Sequence, residues 1–367
     1  MNPFLDSLPK SASMEVVRIA NELKAAGNTV FPMGAGDTHF APPGPVAMRM
    51  NTAVDDGYTH YLAAAGIPPL RESIAQHAYP AYAANEILVA PGVKQALFYY
   101  LLTRNFKRVC VLEPAWLGYK ATAVMTNTEY VAINFKKEGW EEELQNTSFD
   151  LLLFGSPNNP DGKVFSQAEL DAIDQAVAKN GAEIAIDEIY RVYDYDGNND
   201  TSRYYGADNA VIFNGFSKSH AMTGLRIGYM ASKDQTLLTN CLKLQQNIAT
   251  CANSVAQSAA AAAPQSDAEV ELFVEYYKRN RDLVTEIIPE FEPFKPEGAF
   301  YYFVDLSAFG IHDTRTWCKD LLMQKYVASV PGGAFGEGFE SWVRFSYCVD
   351  QEMLGEAMHI VKEHLGL

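Results

Sequence analysis

The sequence has 367 residues, of which 48% are hydrophobic and 20% are charged, a composition typical of a globular protein with one large or two medium domains. Its 29 Lys and Arg residues against 45 Asp and Glu residues give a net charge of −16, which argues against binding of nucleic acid. The five cysteines lack CxxC spacing, so we expect reduced thiols in a cytoplasmic protein and no metal site. The sequence shows neither a secretory signal nor an apolar run long enough for a membrane helix.

In chain order, the first predicted element is a helix over residues 14–26, where apolar residues recur at helical spacing before Gly27. Short apolar segments then alternate with helical patterns, and these segments are residues 87–90, 108–112, 150–154, 182–186 and 211–213. Continuous apolar strands that alternate with helices predict a parallel sheet buried on both faces. A long charged helix over residues 269–285 follows, and then an aromatic-rich stretch that predicts a half-exposed antiparallel strand.

These patterns predict an α/β protein with two unequal domains. The large domain holds a mostly parallel central sheet, and the smaller α+β domain is built from both chain ends. We place an N-terminal segment of the small domain at residues 1–39, the large domain at 40–265 and the C-terminal part of the small domain at 266–367.

The strongest local signal is NGFSKSHAMTGLRIGY, which covers residues 214–229. Lys218 lies between small polar residues just after a predicted strand, and Arg226 follows beside two glycines. A lysine can form a Schiff base with an aldehyde cofactor, and an arginine can hold a phosphate. The alternative is that both are ordinary surface cations.

A second signal is IAIDEIYRVY, in which Asp187 follows a buried-type strand and Tyr190 comes three residues later. A carboxylate at the carboxyl end of a strand lies where open α/β sheets bind ligands. Such an aspartate could keep a pyridine nitrogen protonated, so that the ring withdraws electrons. The alternative is a helix N-cap.

Two further loops contain candidate binding groups. In FGSPNNPDGKVF, Asn159 could donate a hydrogen bond to a phenolate oxygen, although NNPDG also suits a plain polar turn. In VAPGVKQAL, Gly92, Val93 and Lys94 open a predicted helix, whose free N–H groups can bind an anion.

In this order the four motifs resemble the fold-type I, pyridoxal-phosphate (PLP) aminotransferases of the class I/II superfamily, from about residue 8 to the C-terminus. The resemblance implies that Lys218 forms the Schiff base with PLP and that Asp187 pairs with the pyridine nitrogen. It also implies that Tyr190 and Asn159 bind the phenolic oxygen. The phosphate site would comprise Arg226, the backbone of Gly92 and Val93, and the side chain of Lys94.

Four more positions match the family pattern. Trp116 would stack on the cofactor, although a core tryptophan is a competing interpretation. Tyr61 would reach the phosphate of the neighbouring subunit, with Tyr58 as the fallback, and this role implies a homodimer. Arg344 would bind the substrate α-carboxylate, which the backbone of Gly36 would also face.

The sequence departs from the family pattern at two places of interest. Gly215 stands where many members carry a phosphate-binding serine, and Ser217 or Ser219 could compensate. His39 stands where an aspartate is common, and we weigh an influence on specificity against a structural role.

The resemblance implies an aminotransferase that moves the α-amino group of an L-amino acid to a 2-oxo acid by a ping-pong mechanism. The same constellation could serve a PLP-dependent lyase, a decarboxylase, or an oxidase or deaminase. A regulatory module and an inactive homologue are rivals of another class, and the sequence does not identify the amino acid.

Overall fold

A computed structural model gives the structure of Leu8 and residues 12–367. Its largest element is a seven-stranded sheet in the order β1-β7-β6-β5-β4-β2-β3. The strands are β1 (Ile87–Ala90), β2 (Arg108–Glu113), β3 (Glu129–Asn134), β4 (Leu151–Gly155), β5 (Glu183–Asp187), β6 (Ala210–Gly215) and β7 (Gly228–Ala231). Strand β7 runs antiparallel to β1 and β6, and the remaining neighbours pair in parallel. The predicted mostly parallel sheet is confirmed, although β3 and β7 were not predicted from the sequence.

Both faces of this sheet are buried. Leu152 and Phe154 of β4 belong to one hydrophobic cluster, whereas Leu151 and Leu153 belong to another. Because successive side chains of a strand point to opposite faces, a strand covered on both sides must be apolar at every position. The continuous apolar segments of the sequence therefore have a direct structural cause.

Twelve helices lie in the described part of the chain, and the predicted helices near both ends are among them. They are α1 (Ala12–Ala25), α2 (Gly44–Thr52), α3 (Pro68–Ser73), α4 (Val93–Arg104), α5 (Gly118–Met125), α6 (Trp140–Asn146), α7 (Gln167–Asn180), α8 (Gln235–Ile248), α9 (Ser254–Ala260), α10 (Asp267–Ile287), α11 (Thr314–Lys325) and α12 (Gln351–His364). Helix α7 begins with a capping box, in which Ser166 and Glu169 each accept a backbone N–H of the other. None of the described helices has both the length and the apolar character needed to cross a membrane.

A second, three-stranded antiparallel sheet has the order β8-β10-β9, with β8 (Tyr301–Asp305), β9 (Val330–Pro331) and β10 (Trp342–Ser346). The expectation of a half-exposed strand was wrong, because Tyr301 to Val304 of β8 are all buried. The face expected to meet solvent is covered, since Phe303 packs against Phe335 and Phe339.

The two chain ends meet beside this second sheet. Ala20 of α1 and Val30 pack in one small cluster with Leu322 and Ala328, and Phe31 forms a parallel bridge with Val327. The prediction that both ends contribute to one unit agrees with these contacts. The boundaries at residues 39 and 265 stay a prediction.

The sheet topology determines where polar groups collect. The parallel strands β4, β5 and β6 end together at Gly155, Asp187 and Gly215, at one edge of the large sheet. In open α/β sheets, ligands bind outside the carboxyl ends of the strands. This edge is therefore the place to look for a functional site.

We expect Leu152→Ala to destabilise the protein by about 2–5 kcal/mol, because it opens a cavity beneath a fully buried position of β4. Denaturant unfolding followed by circular dichroism measures the difference. Leu102→Ala, at an exposed position of α4, is the matched control and should change stability by less than about 0.5 kcal/mol. Equal effects of the two substitutions would contradict the buried position of β4.

Candidate active site

A cavity of about 380 Å³ opens at the carboxyl edge of the large sheet. It is lined by most of the residues that the sequence analysis selected, from segments far apart in the chain. These are Gly36, Val93, Lys94, Trp116, Asn159, Asp187, Tyr190, Ser217, Lys218, Arg226 and Arg344. The cavity therefore collects four cationic side chains and one carboxylate in a single space.

Lys218 follows β6, and its side chain reaches the cavity. Its Nζ donates a hydrogen bond to the carbonyl oxygen of Gly36 over 2.6 Å. The hydroxyl of Tyr193 donates to the carbonyl oxygen of Lys218 over 3.0 Å. Burial lowers the pKa of the Lys218 amine from its ordinary value. The lysine is thus fixed at its backbone and closer to the neutral form that a nucleophile or base requires.

Asp187 ends β5 and contributes its carboxylate to the same cavity. One oxygen accepts a hydrogen bond from the backbone N–H of Ile189 over 3.1 Å, and the other accepts from the Tyr119 hydroxyl over 3.0 Å. Burial raises the pKa of Asp187 to about 6. Tyr119 was not predicted as a site residue, since its only signal in the sequence is its position one helical turn after Trp116.

One end of the cavity is built to receive an anion. Gly92 has a φ of +89° at the start of α4, and an added Cβ would lie 2.6 Å from Nη2 of Arg226. Lys94 adds a third positive group, and its Nζ lies 5.0 Å from the centre of the Trp116 ring. Burial, reinforced by Arg226, lowers the pKa of Lys94. A helix N-terminus beside two cations is a strong anion site.

Arg344 lies at the other end of the cavity and is only 3% exposed. Its Nη1 donates to Oδ1 of Asn159 over 2.9 Å and its Nη2 to the carbonyl oxygen of Gly34 over 2.8 Å, while its Nε has no hydrogen-bond partner among Leu8 and residues 12–367. Within the described residues, no carboxylate forms a salt bridge with this guanidinium. A buried cation without a counter-ion strongly favours binding of an anion.

Two predicted residues do not line the cavity. Gly92 contributes through its positive φ, which allows the close approach of Arg226. The side chain of Tyr61 is 85% exposed to solvent. The fallback residue Tyr58 is half-buried, and its hydroxyl lies 3.5 Å from Nη2 of Arg49. The role of Tyr61 in a neighbouring subunit therefore stays a prediction.

The structure explains why position 215 has no side chain. A Cβ on Gly215 would lie 2.8 Å from Cα of Gly228 and 2.9 Å from the carbonyl oxygen of Ile227. Of the two serines proposed as substitutes, Ser217 lines the cavity, whereas the Ser219 hydroxyl is hydrogen-bonded to Nδ1 of His220 over 2.7 Å.

His39 lies outside the cavity lining. Its Nδ1 is 3.1 Å from the hydroxyl of Tyr277, and its ring contacts Phe40 and Tyr276. Burial lowers the pKa of His39, so the ring favours its neutral form. These contacts favour the structural role over an influence on specificity.

Comparison with known proteins decides the family. Residues 28–361 match the family model described as aminotransferase class I and II. The chain belongs to this family. It is 32% identical to a probable aspartate aminotransferase of Methanocaldococcus jannaschii, over 90% of this chain and 92% of that protein. It is 31% identical to an aspartate aminotransferase of Thermotoga maritima, with 99% and 98% of the two chains covered.

Solved structures give the same result. The aspartate aminotransferase of Thermus thermophilus with maleate superposes with a TM-score of 0.90 at 28% identity, and 99% of each chain is covered. The predicted fold-type I architecture is confirmed. The chain is a PLP-dependent aminotransferase, which transfers the α-amino group of an amino acid to a 2-oxo acid.

The residues of the cavity fit this cofactor. PLP needs an amine for its aldehyde, a carboxylate for its ring nitrogen and a cationic site for its phosphate. Lys218, Asp187 and the α4 N-terminus with Arg226 supply these groups in one space. The close approach of Gly92 to Arg226, which a Cβ would prevent, keeps backbone N–H groups and guanidinium together.

Asp187 provides a test of the site's electrostatics in protein stripped of PLP. Because its folded pKa is about 6 and its ordinary value is 3.8, the folded chain holds the proton more tightly, and stability falls as pH rises through this window. Asp187→Asn should therefore stabilise the stripped protein by up to about 3 kcal/mol above pH 6, and the gain should vanish below pH 3.8.

Thermal unfolding at several pH values from about 3.5 to about 7 measures this difference across the window between the two pKa values, 3.8 and about 6. Asp171→Asn is the control, since hydrogen bonds from Arg203 and Gln167 lower the pKa of this exposed carboxyl, so its replacement should bring no stabilisation. A stabilisation by Asp187→Asn that did not depend on pH would contradict the raised pKa of Asp187.

Proposed function

We propose that Lys218 is the residue that holds PLP and moves the proton of the reaction, and that Asp187 pairs with the pyridine nitrogen. The observation that carries this proposal is the shared cavity. The Lys218 amine, the Asp187 carboxylate and the buried Arg344 guanidinium line one space of about 380 Å³. Burial lowers the pKa of the amine from its ordinary value, which favours the neutral form that a general base requires.

The remaining lining residues would hold the cofactor in position. The phosphate would lie at the anion site formed by Arg226, Lys94 and the backbone of Gly92 and Val93, with the hydroxyl of Ser217 nearby. The ring would stack on Trp116. Tyr190 and the amide NH₂ of Asn159 would donate to the phenolic oxygen, since Oδ1 of Asn159 already accepts from Arg344.

Arg344 would bind the α-carboxylate of the amino acid through its unpaired Nε and its Nη groups. The bound position would place the Cα–H bond within reach of the Lys218 amine, beside the backbone of Gly36. Lys218 would take the Cα proton as general base and, as general acid, deliver it to C4′, the aldehyde carbon of the cofactor. When bound, PLP supplies an electron sink for the carbanion that this proton transfer creates.

We propose aspartate as one amino donor. Several curated relatives at about 30% identity are named aspartate aminotransferases, and a solved neighbour is described with maleate, a dicarboxylate. The names of the relatives carry this proposal, because Lys94, Lys218 and Arg226 are assigned to the cofactor and Arg344 to the α-carboxylate.

We also propose a cytoplasmic homodimer in which Tyr61 reaches the phosphate site of the neighbouring subunit. The Tyr61 side chain is 85% exposed although it is large and aromatic, and Met48 and Val54 expose apolar surface on nearby segments. The Ser254 hydroxyl donates to the carbonyl oxygen of Tyr58 over 2.6 Å, and this hydrogen bond connects the segment before Tyr61 to the start of α9. All five cysteines are free, which suits a reducing compartment.

Replacing Lys218 tests the central assignment. We expect Lys218→Ala to reduce turnover at least about a thousandfold, because the general base is removed, while PLP still binds through its phosphate and ring. Exposed Lys179→Ala is the control. Visible spectra should be recorded before and after adding single amino acids without an oxo acid.

In the wild-type enzyme, aspartate should abolish the visible band of the cofactor, and no ammonia or carbon dioxide should appear. Release of either product with the band intact would instead support a lyase, decarboxylase or deaminase. Normal turnover by Lys218→Ala would refute the assignment of Lys218.

A mixing experiment tests the shared site. Lys218→Ala and Tyr61→Ala should each be impaired alone, the second through PLP affinity lowered about tenfold or more by the lost hydrogen bond to phosphate. In a hybrid of the two, one site combines an intact Lys218 with an intact Tyr61 from the other subunit.

Co-expression with two affinity tags isolates this hybrid. We expect it to regain PLP affinity and turnover in one of its two sites. A hybrid no more active than its parents would show that Tyr61 does not act across subunits, and a fully active monomer in gel filtration would exclude the dimer.

A further inference from the structure

Tyr301 lines the cavity and has no role in the function proposed above. It is the first residue of β8, its side chain is buried, and it contacts both ends of the cavity. Its hydroxyl and its ring make different contacts, which can be removed separately.

The hydroxyl of Tyr301 lies 2.7 Å from the hydroxyl of Tyr190. Each tyrosine hydroxyl has one proton to donate and lone pairs to accept. If Tyr190 donates its proton to an oxygen in the cavity, the hydrogen bond between the two tyrosines requires Tyr301 to donate to Tyr190. Tyr301 thereby directs the Tyr190 proton towards the cavity.

The ring of Tyr301 lies under the guanidinium of Arg344, with Cζ of the arginine 4.3 Å from the ring centre. Phe335 is the second ring close to this group, with its centre 4.9 Å from Cζ. An aromatic face attracts a guanidinium and favours a stacked orientation. Since Arg344 has no counter-ion among the described residues, these rings and two neutral oxygens determine the orientation of the planar guanidinium.

Gly36 connects these contacts to the lysine. A Cβ at Gly36 would collide with the Tyr301 hydroxyl, and the carbonyl oxygen of Gly36 accepts the hydrogen bond of Lys218. The loop can approach the lysine at this point because position 36 has no side chain. Tyr301 thus touches the segments that orient Tyr190, Arg344 and Lys218.

We propose that Tyr301 is a positioning residue, whose hydroxyl orients Tyr190 and whose ring orients Arg344. This inference rests on the proposed function, in which Tyr190 binds the phenolic oxygen of PLP and Arg344 binds the substrate carboxylate. Its hydroxyl acts at the cofactor end of the cavity and its ring at the substrate end, so the two effects should separate.

Tyr302 is a matched control on the same strand. It is as fully buried as Tyr301, but its hydroxyl donates to the carbonyl oxygen of Arg281 over 2.8 Å and it does not line the cavity. A purely structural role would make Tyr301→Phe and Tyr302→Phe similar, with effects on thermal stability alone.

Removing the hydroxyl should change the cofactor end only. In Tyr301→Phe, Tyr190 becomes a weaker donor to a negatively charged oxygen. The pH midpoint, which is the pH at which half of the change in the visible absorption of bound PLP has occurred, should therefore rise. The affinity of the stripped protein for PLP should fall by about threefold to tenfold. The KM for amino donors should stay within about twofold, because the aromatic ring remains.

Removing the ring should add an effect at the substrate end. Tyr301→Leu should raise the KM about tenfold, and by the same factor for every amino donor, because all donors share the α-carboxylate. Tyr302→Phe should leave the pH midpoint, the PLP affinity and the KM unchanged.

A double-variant cycle distinguishes this inference from the proposed function beneath it. Tyr190→Phe alone should raise the pH midpoint, and adding Tyr301→Phe should cause no further rise, since the hydroxyl acts through Tyr190. A midpoint unchanged by Tyr190→Phe would overturn the role of Tyr190 and the inference with it.

A midpoint that rises in Tyr190→Phe but not in Tyr301→Phe would overturn the inference and leave the proposed function standing. Additive shifts in the double variant would show that Tyr301 does not act through Tyr190. Unchanged KM values in correctly folded Tyr301→Leu would refute its effect on Arg344, with circular dichroism as the check on folding.

Discussion

The site depends on one physical constraint, which is a buried guanidinium that has no counter-ion in the described part of the chain. Arg344 lies 3% exposed on β10, and its partners are the neutral oxygens of Asn159 and Gly34 and the faces of aromatic rings. Removing a charge from water is unfavourable unless another group compensates for it. The missing compensation favours binding of an anion at this end of the cavity, which β10 of the second sheet supplies with Arg344.

The large sheet positions the polar groups at the other end of the cavity. Parallel strands buried on both faces bring Asp187 and the segment before Lys218 to one edge, and the start of α4 adds unpaired N–H groups. Opposite charges therefore occupy fixed places in one cavity without neutralising each other. Burial raises the pKa of Asp187 to about 6 and lowers the pKa of Lys218 from its ordinary value, so the two pKa values are brought closer together.

Much of this arrangement could be predicted from the sequence, because the residues concerned carry chemistry that is unusual in their context. A lysine among small polar residues after a strand and an arginine inside an apolar strand both stand out. Tyr119 and Tyr301 were missed for the opposite reason, since aromatic residues are ordinary in a core. In the run GAFYYFVDL, nothing local tells which tyrosine faces the cavity. The covered face of β8 was also missed, because Phe335 and Phe339 are distant in sequence.

The contact between Gly215 and Gly228 has a consequence for how this enzyme can evolve. A Cβ on Gly228 would in turn lie 2.8 Å from the backbone nitrogen of Val93, so β6, β7 and the start of α4 pack backbone against backbone. A serine at position 215 would push β7 towards α4, and through it would displace the anion site that the serine is meant to assist. The substitution is therefore epistatic, because a side chain at position 215 can be accommodated only together with changes elsewhere that move β7.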